Sequence, residues 1–357
     1  MIRLHHLDSC PTRSAAAPVP VGSDPCTLWT QRLGGPAGIA ASLIAEHAPL
    51  APVVGCALPP LAGTAGVAVD DAWLAGCAGE PTQSGQSGAV RWWQRGAWLA
   101  AAIDLPEVDE GEGLQALAGA AYDALFALLQ ARGTPHVLRF WNYLARINDG
   151  VAGLERYRHF NRGRQRAFER ARRSAFEGSP AASAVGSPAG APLQVRVIAS
   201  ADRAVTALEN PRQVSAYRYP SAYGPVAPTF SRAALLGRAD GSALLAISGT
   251  ASILGHASVH LGDVQAQTLE ACRNLDALLA AGRAHPAGRG LRPLADAALT
   301  VYVRHPNDAP AVAQALAAHL GADDAPALRR AAWLQADICR ADLLVEIEGV
   351  VESDADG

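Results

Sequence analysis

The sequence predicts an α+β protein of two domains, with mixed β-sheets and helices packed on one face. Short apolar runs of strand length are interleaved with longer runs of helix length. The chain has 357 residues, half of them apolar, enough to bury a large core, and length alone favours two domains or one large one. A Gly/Pro/Ser/Ala stretch interrupts it and offers no side chains able to build a core. The expected division is an N-terminal α/β domain over residues 1–175, ending in an Arg-rich helix. A flexible linker or loop follows over 176–192, and a C-terminal domain over 193–352.

The first third reads as short strands and one helix. The uncharged stretch 48–69 holds Pro49, Pro52, Pro59 and Pro60, which argue against a membrane helix and for strands and turns. QALAGAAYDALFALLQA (115–131) is long and apolar on most faces, and Gly133 ends it as a helix. HVLRFWNY (136–143) alternates and then runs apolar, as a buried strand does. Residues 154–174 form the Arg-rich helix, with Phe160 and Phe168 on its inner side. LQVRVIAS (193–200) opens the second half as a strand, followed by the turn-rich YRYPSAYGP. A strand at 242–248 leads into the small-residue run SGTASILG. A helix over 264–281 starts after Asp263, a side chain suited to capping it. A strand at 298–303, a helix at 310–320 and strands at 331–338 and 343–351 complete the order.

Composition excludes several chemistries. There is no lysine, so no Schiff-base lysine, no lysine-bound pyridoxal phosphate and no P-loop lysine. The net charge of −3 makes the chain as a whole a poor polyanion binder. Six cysteines, Cys10, Cys26, Cys56, Cys77, Cys272 and Cys339, include no CxxC pair, and no HExxH occurs. The N-terminus MIRLHHLDSC lacks an apolar signal region, so free thiols in a cytoplasm are expected.

Residues 139–168, RFWNYLARINDGVAGLERYRHFNRGRQRAF, concentrate aromatic rings, amides and guanidiniums. The planar fork of Arg matches a carboxylate, and Tyr adds an oriented hydroxyl. This suits a small anionic ring or a nucleic acid. Tyr217, Tyr219 and Tyr223, with Arg218 and Arg232, form a second such group, which would otherwise be packing in a surface turn. In LLVEIEGVV, Glu346 and Glu348 share one face of a strand. A solvated face is the plain reading. Buried, the pair would raise each other's pKa and provide a general acid near neutral pH. SGTASILG could hold an anion on its amides. Cys339 by itself reads as a packed thiol. His256 and His260 stand four apart with no evident third metal ligand.

Together these motifs resemble the chorismatase family. The matching runs are RFWNYLARIN, YRHFNRGRQRAF, SAYRYPSAYGPVAPTFSRA, ISGTASILGHASVHLGD and ADICRADLLVEIEGV, in order over the C-terminal two-thirds. The resemblance implies a C-terminal domain with the reactive-intermediate deaminase (YjgF-like) fold, and a possible homotrimer. It implies removal of the enolpyruvyl group of chorismate as pyruvate, with no cofactor and no metal. It assigns substrate binding to Tyr157, Arg164, Tyr219 and Arg232, and acid catalysis to Glu346.

The resemblance also divides the products. A cysteine at Cys339 goes with members that form hydroxybenzoate, whereas Ala251 matches those that hydrolyse chorismate to a dihydroxycyclohexadienoate. The mixed pair fits a subgroup that makes 3- and also 4-hydroxybenzoate, for aryl-polyene pigment and ubiquinone. The rivals are an imine or enamine deaminase using an Arg near Arg329 or Arg330, a nucleic-acid binder using the Arg-rich helix, and a non-catalytic sensor of aromatic acids. No nucleic-acid and no membrane partner is expected.

Overall fold

The structure, a computed structural model, describes residues 82–107, 113–238, 240–321 and 325–354. The expected strands and turns over 48–69, and Cys10, Cys26, Cys56 and Cys77, lie outside the described residues. Strands β1 (Gln83–Ser87), β2 (Val90–Arg95) and β3 (Trp98–Leu105) form an antiparallel meander. Gly88 and Gly96 open its two-residue turns with φ of 56° and 51°, which tight hairpins require. Helix α1 (Gly113–Ala131), β4 (His136–Ala145), the short hairpin β5 (Gly150–Val151) and β6 (Leu154–Glu155), helix α2 (Arg156–Arg170), β7 (Ala181–Ser187) and β8 (Leu193–Ser200) follow. The first sheet has the order β1-β2-β3-β8-β4-β7, with β4 and β7 parallel and the other pairs antiparallel.

The second half repeats this plan. It runs β9 (Thr206–Leu208), β10 (Ala233–Gly237), β11 (Ala243–Ala251), a hairpin of β12 (Ile253–Leu254) and β13 (Ala257–Ser258), helix α3 (Val264–Ala284), β14 (Ala298–Val303), helices α4 (Ala309–Leu320) and α5 (Pro326–Arg330), β15 (Ala332–Gln335) and β16 (Val345–Glu352). The sheet order is β9-β10-β11-β16-β14-β15, again with one parallel pair, β14 and β15, at the edge. In both halves the last strand inserts between the third and fourth. Glu346 pairs with Tyr302 in the second sheet, and Gln194 pairs with Tyr143 at the matching place in the first. The carboxyl at this register position is therefore present in one half only.

Each sheet carries its helices on one face, as expected. Tyr122 of α1 and Phe160 and Phe168 of α2 close over Phe140 of β4, all buried, with ring centroids 4.9–6.3 Å from Tyr122. Burying such a ring contributes about 1.5–3 kcal/mol. Helix α1 is long and apolar enough, by length and composition alone, to cross a bilayer, and here it packs on this core. Helices α3 and α4 cover the second sheet through Leu275, Leu278 and Leu316. The other face of each sheet packs on its counterpart, through Trp141, Tyr143 and Ile198 on one side and Leu236, Leu244 and Tyr302 on the other. The result is four layers, helix–sheet–sheet–helix.

Two expectations need correction. Residues 176–192 are not a flexible linker: Ala181–Ser187 is the fully buried strand β7, in parallel register with β4. Its small side chains allow close approach between the sheets. Gly186 exchanges backbone hydrogen bonds with Asp337, and a Cβ there would meet Asp337 and Ile147 at 2.6 Å. The domain boundary moves with it. Strand β8, assigned to the C-terminal domain, lies inside the first sheet between β3 and β4. The first unit thus runs through Ser200.

Candidate active site

The site lies where the β7 edge of the first sheet meets the second sheet. Strand β11 carries a bulge between Ile247 and Thr250, so that Ser248 and Gly249 stand opposite Glu348. The N–H of Gly249 donates to Ser183 Oγ of β7 at 3.0 Å, tying the sheets together there. Beside this join opens a cavity of about 480 Å³, lined by residues of both halves. Its volume suits a small ring acid.

Glu346 and Glu348 do face the same way, but their surroundings differ. Glu348 is buried and fully engaged. It accepts from Arg139 and Ser183, and from Trp141 Nε1 at 2.8 Å. It is therefore a structural ion pair across the sheets. Glu346 borders the cavity, is only 3% exposed, and receives no hydrogen bond among the described residues. Burial first, and the negative charge of Glu348 second, push its carboxyl up to about 8, against weaker opposing pulls from Arg139 and Arg232. At neutral pH Glu346 is thus protonated, a carboxylic acid at the wall of the cavity.

Arg164 and Arg232 border the same cavity. Arg164, 1% exposed, rises from α2 among the rings of Tyr122, Phe140 and Phe168, with its Cζ 5.2–5.8 Å from their centroids. No carboxylate pairs with it among the described residues, and its Nε and Nη2 are buried without acceptors. Gly163 makes this helix position possible: a Cβ there would lie 2.0 Å from the Gln115 carbonyl oxygen of α1. Arg232, at the start of β10, donates from Nη2 to Tyr219 Oη at 2.7 Å and to the Val214 carbonyl at 2.9 Å, leaving Nε without a partner among the described residues. A buried guanidinium with open donors costs free energy until an anion meets it.

Tyr157 also lines the cavity, and burial raises its hydroxyl far above the usual tyrosine range, so it is a neutral donor. Cys339 borders the cavity from the turn before β16. Burial, then the Glu346 carboxyl, push its thiol up to about 12, so it is a protonated thiol and not a thiolate nucleophile. Ala251 ends β11 directly opposite Glu346 in the ladder. The structure therefore brings Glu346, Cys339, Tyr157, Arg164, Tyr219, Arg232 and Ala251 to one cavity.

Other candidates fall elsewhere. Tyr217, Arg218, Arg329 and Arg330 do not line it, and Arg330 caps the Asp296 carbonyl at 2.5 Å. A deaminase reading would need an Arg there facing a small pocket, and neither Arg329 nor Arg330 borders this cavity. His256 bonds Tyr223 Oη through Nδ1 at 3.0 Å, whereas His260 lies near Glu270 at 3.7 Å. The Arg-rich helix turns much of its charge inward: Arg156 pairs with Glu107, and Arg164 faces the cavity. Sequence reasoning missed Arg340, Ser183 and Gly249, all in the cavity lining. Arg340 stands in the matched run beside Cys339 and could have been singled out there.

Residues 71–199 match the family model described as chorismatase FkbO/Hyg5-like, N-terminal. A Streptomyces hygroscopicus protein named 3-hydroxybenzoate synthase is 42% identical over 240 residues, covering 65% of this chain and 68% of that protein. A protein named chorismatase from Streptomyces rapamycinicus is 39% identical over 279 residues, covering 76% of this chain and 79% of its own. A solved chorismatase crystal structure superposes with a TM-score of 0.69 at 36% identity, over 75% of this chain and 79% of that one.

Proposed function

This chain belongs to the chorismatase family of chorismate-cleaving enzymes, and from that premise we propose that it converts chorismate to pyruvate and a hydroxybenzoate, with Glu346 as general acid. The observation that carries the reading is the protonated, buried carboxyl of Glu346 in a cavity also lined by Arg164 and Arg232, each with a buried donor that no described residue accepts.

Chorismate has two carboxylates, one on the ring and one on the enol ether side chain. Arg164 and Arg232 each take one, with Tyr157 and Tyr219 adding hydroxyls. Glu346 gives its proton to the terminal methylene of the enol ether. The carbon bearing the ether oxygen becomes an oxocarbenium, and the glutamate left behind is a carboxylate that stabilises it. Breakdown then takes one of two routes. Water adds to the cation and pyruvate leaves a dihydroxycyclohexadienoate, or internal attack and aromatisation yield a hydroxybenzoate. The thiol of Cys339 beside Glu346 supports the second route. The product is 3-hydroxybenzoate accompanied by 4-hydroxybenzoate, building blocks for aryl-polyene pigment and ubiquinone. Ala251 favours the hydrolytic route as the alternative.

Incubation of the purified protein with chorismate tests this, with pyruvate measured enzymatically and the ring product identified by chromatography. Pyruvate with equimolar hydroxybenzoate is expected. Pyruvate with the diol alone would select the hydrolase alternative.

A further inference from the structure

We propose that Arg340 is a third substrate-binding arginine and that, with Arg232, it holds the carboxylate of the enolpyruvyl side chain. The inference rests on the chorismatase reading and assigns one end of the cavity within it.

Arg340 lines the cavity and is held rigidly. Its Nη1 donates to the His256 carbonyl at 2.9 Å and lies 3.2 Å from Ser258 Oγ. Its Cζ sits 4.2 Å from the ring centroid of Tyr223 and 5.2 Å from that of Tyr219. The Tyr223 ring is fixed in turn by its hydroxyl on His256 Nδ1. Nη2 is buried with no acceptor, and among the described residues no carboxylate pairs with this guanidinium. A half-buried cation held in place, with one buried open donor, is poised for an anion. The Arg232 guanidinium stands 5.5 Å from the same Tyr219 ring, so two cations flank one tyrosine.

Position selects which carboxylate goes there. The side-chain carboxylate is attached next to the carbon that Glu346 protonates, so its binding groups must stand beside Glu346. The carbonyl of Arg232 accepts from Ser248 N–H at 3.0 Å, one residue from the glycine beneath Glu346, and Arg340 follows Cys339 in the chain. Arg164 enters from α2, among the aromatic rings of the first half. The ring carboxylate falls to Arg164 and the side-chain carboxylate to the pair Arg232 and Arg340.

The test is steady-state kinetics of Arg340→Gln with both products as inhibitors. Pyruvate release by the wild type is measured first; its absence would end the chorismatase reading and this inference together. With release established, KM for chorismate in Arg340→Gln should rise about tenfold or more, with kcat less affected. The inhibition constant of pyruvate should rise with it, and that of 3-hydroxybenzoate should stay within about twofold. Should the glutamine variant not fold, Arg340→Lys, which keeps the charge over Tyr223, should give the same pattern at smaller size. An unchanged KM would overturn the inference and leave Arg340 a charge at the cavity wall. Equal weakening of pyruvate and 3-hydroxybenzoate would overturn it too.

Discussion

The backbone of Gly249 lies directly beneath the carboxyl of Glu346: a Cβ added to the glycine would stand 1.9 Å from Oε1 and 2.6 Å from Cδ. The bulge of β11 places this glycine there, and its missing side chain is the space the acid occupies. The backbone conformation is not the reason, because Gly249 is absent from the positive-φ positions. Gly249→Ala should therefore fold and yet displace the carboxyl. We expect kcat to fall about 10–100-fold, as a misplacement near 1 Å can cost. Pyruvate release near the wild-type rate, in a variant with unchanged circular dichroism, would contradict this.

The raised carboxyl of Glu346 sets a pH dependence. In the free enzyme the reactive form is protonated, so kcat/KM should hold level below about pH 8 and fall about tenfold per unit above it. Stability carries the same sign. The folded-state value of about 8 lies above the ordinary 4.5, so between them the folded chain binds more protons than the unfolded one. This group's contribution to stability then declines as pH rises through that window and levels off above it. Glu346→Gln removes the decline, and its Tm relative to wild type should increase toward alkaline pH. A Tm difference that is flat across the window would contradict the assignment.

Arg164 and Arg232 are expected to matter as forks, not as charges. Replacing either with Ala should lower kcat/KM by about 2–5 kcal/mol, because a substrate carboxylate is left poorly paired beside buried donors. Lys should rescue little, since an ammonium cannot span two carboxylate oxygens. Lys variants close to wild type in kcat/KM would reduce both residues to general positive potential.

Cys339 is expected to steer the product and not to cleave the side chain. Its thiol is protonated and beside the acid, which makes it a poor nucleophile for the cleavage step. Cys339→Ala should still release pyruvate, with the ring product shifted from hydroxybenzoate toward the dihydroxycyclohexadienoate. The measurement is the ratio of ring products at matched pyruvate yield. An unchanged ratio would leave Cys339 as packing and make Ala251 the better guide to the branch.

Much of this was legible in the sequence, for physical reasons that differ by element. Asp263 was readable as a cap, and its carboxylate does accept from Ala266 N–H at 3.0 Å. The inner side of α2 was readable from Phe160 and Phe168, both fully buried. Strand β7 was not. AASAVGS carries almost no apolar contrast, because its task is to be thin between two sheets, and small residues there look like a linker. Nor could the two glutamates be told apart. Both lie on one strand face, and what separates them is Arg139, 209 positions away in the chain, bonding Glu348 alone. The repeated strand order of the two halves was likewise hidden, since it resides in pairing and not in similar residues: Gln194 stands where Glu346 does.

The most direct test of the account is the rate of pyruvate release from chorismate by the wild type and by Glu346→Gln at neutral pH, with substrate affinity measured in parallel. Glutamine keeps the size of the side chain but has no acidic proton for the methylene carbon. The account predicts bound substrate, an intact fold and a kcat lower by about two to four orders of magnitude. The same exchange at Glu348, whose carboxylate bonds Arg139 and Trp141 and does not border the cavity, should cost less activity. Near-normal pyruvate release by Glu346→Gln would contradict the central claim.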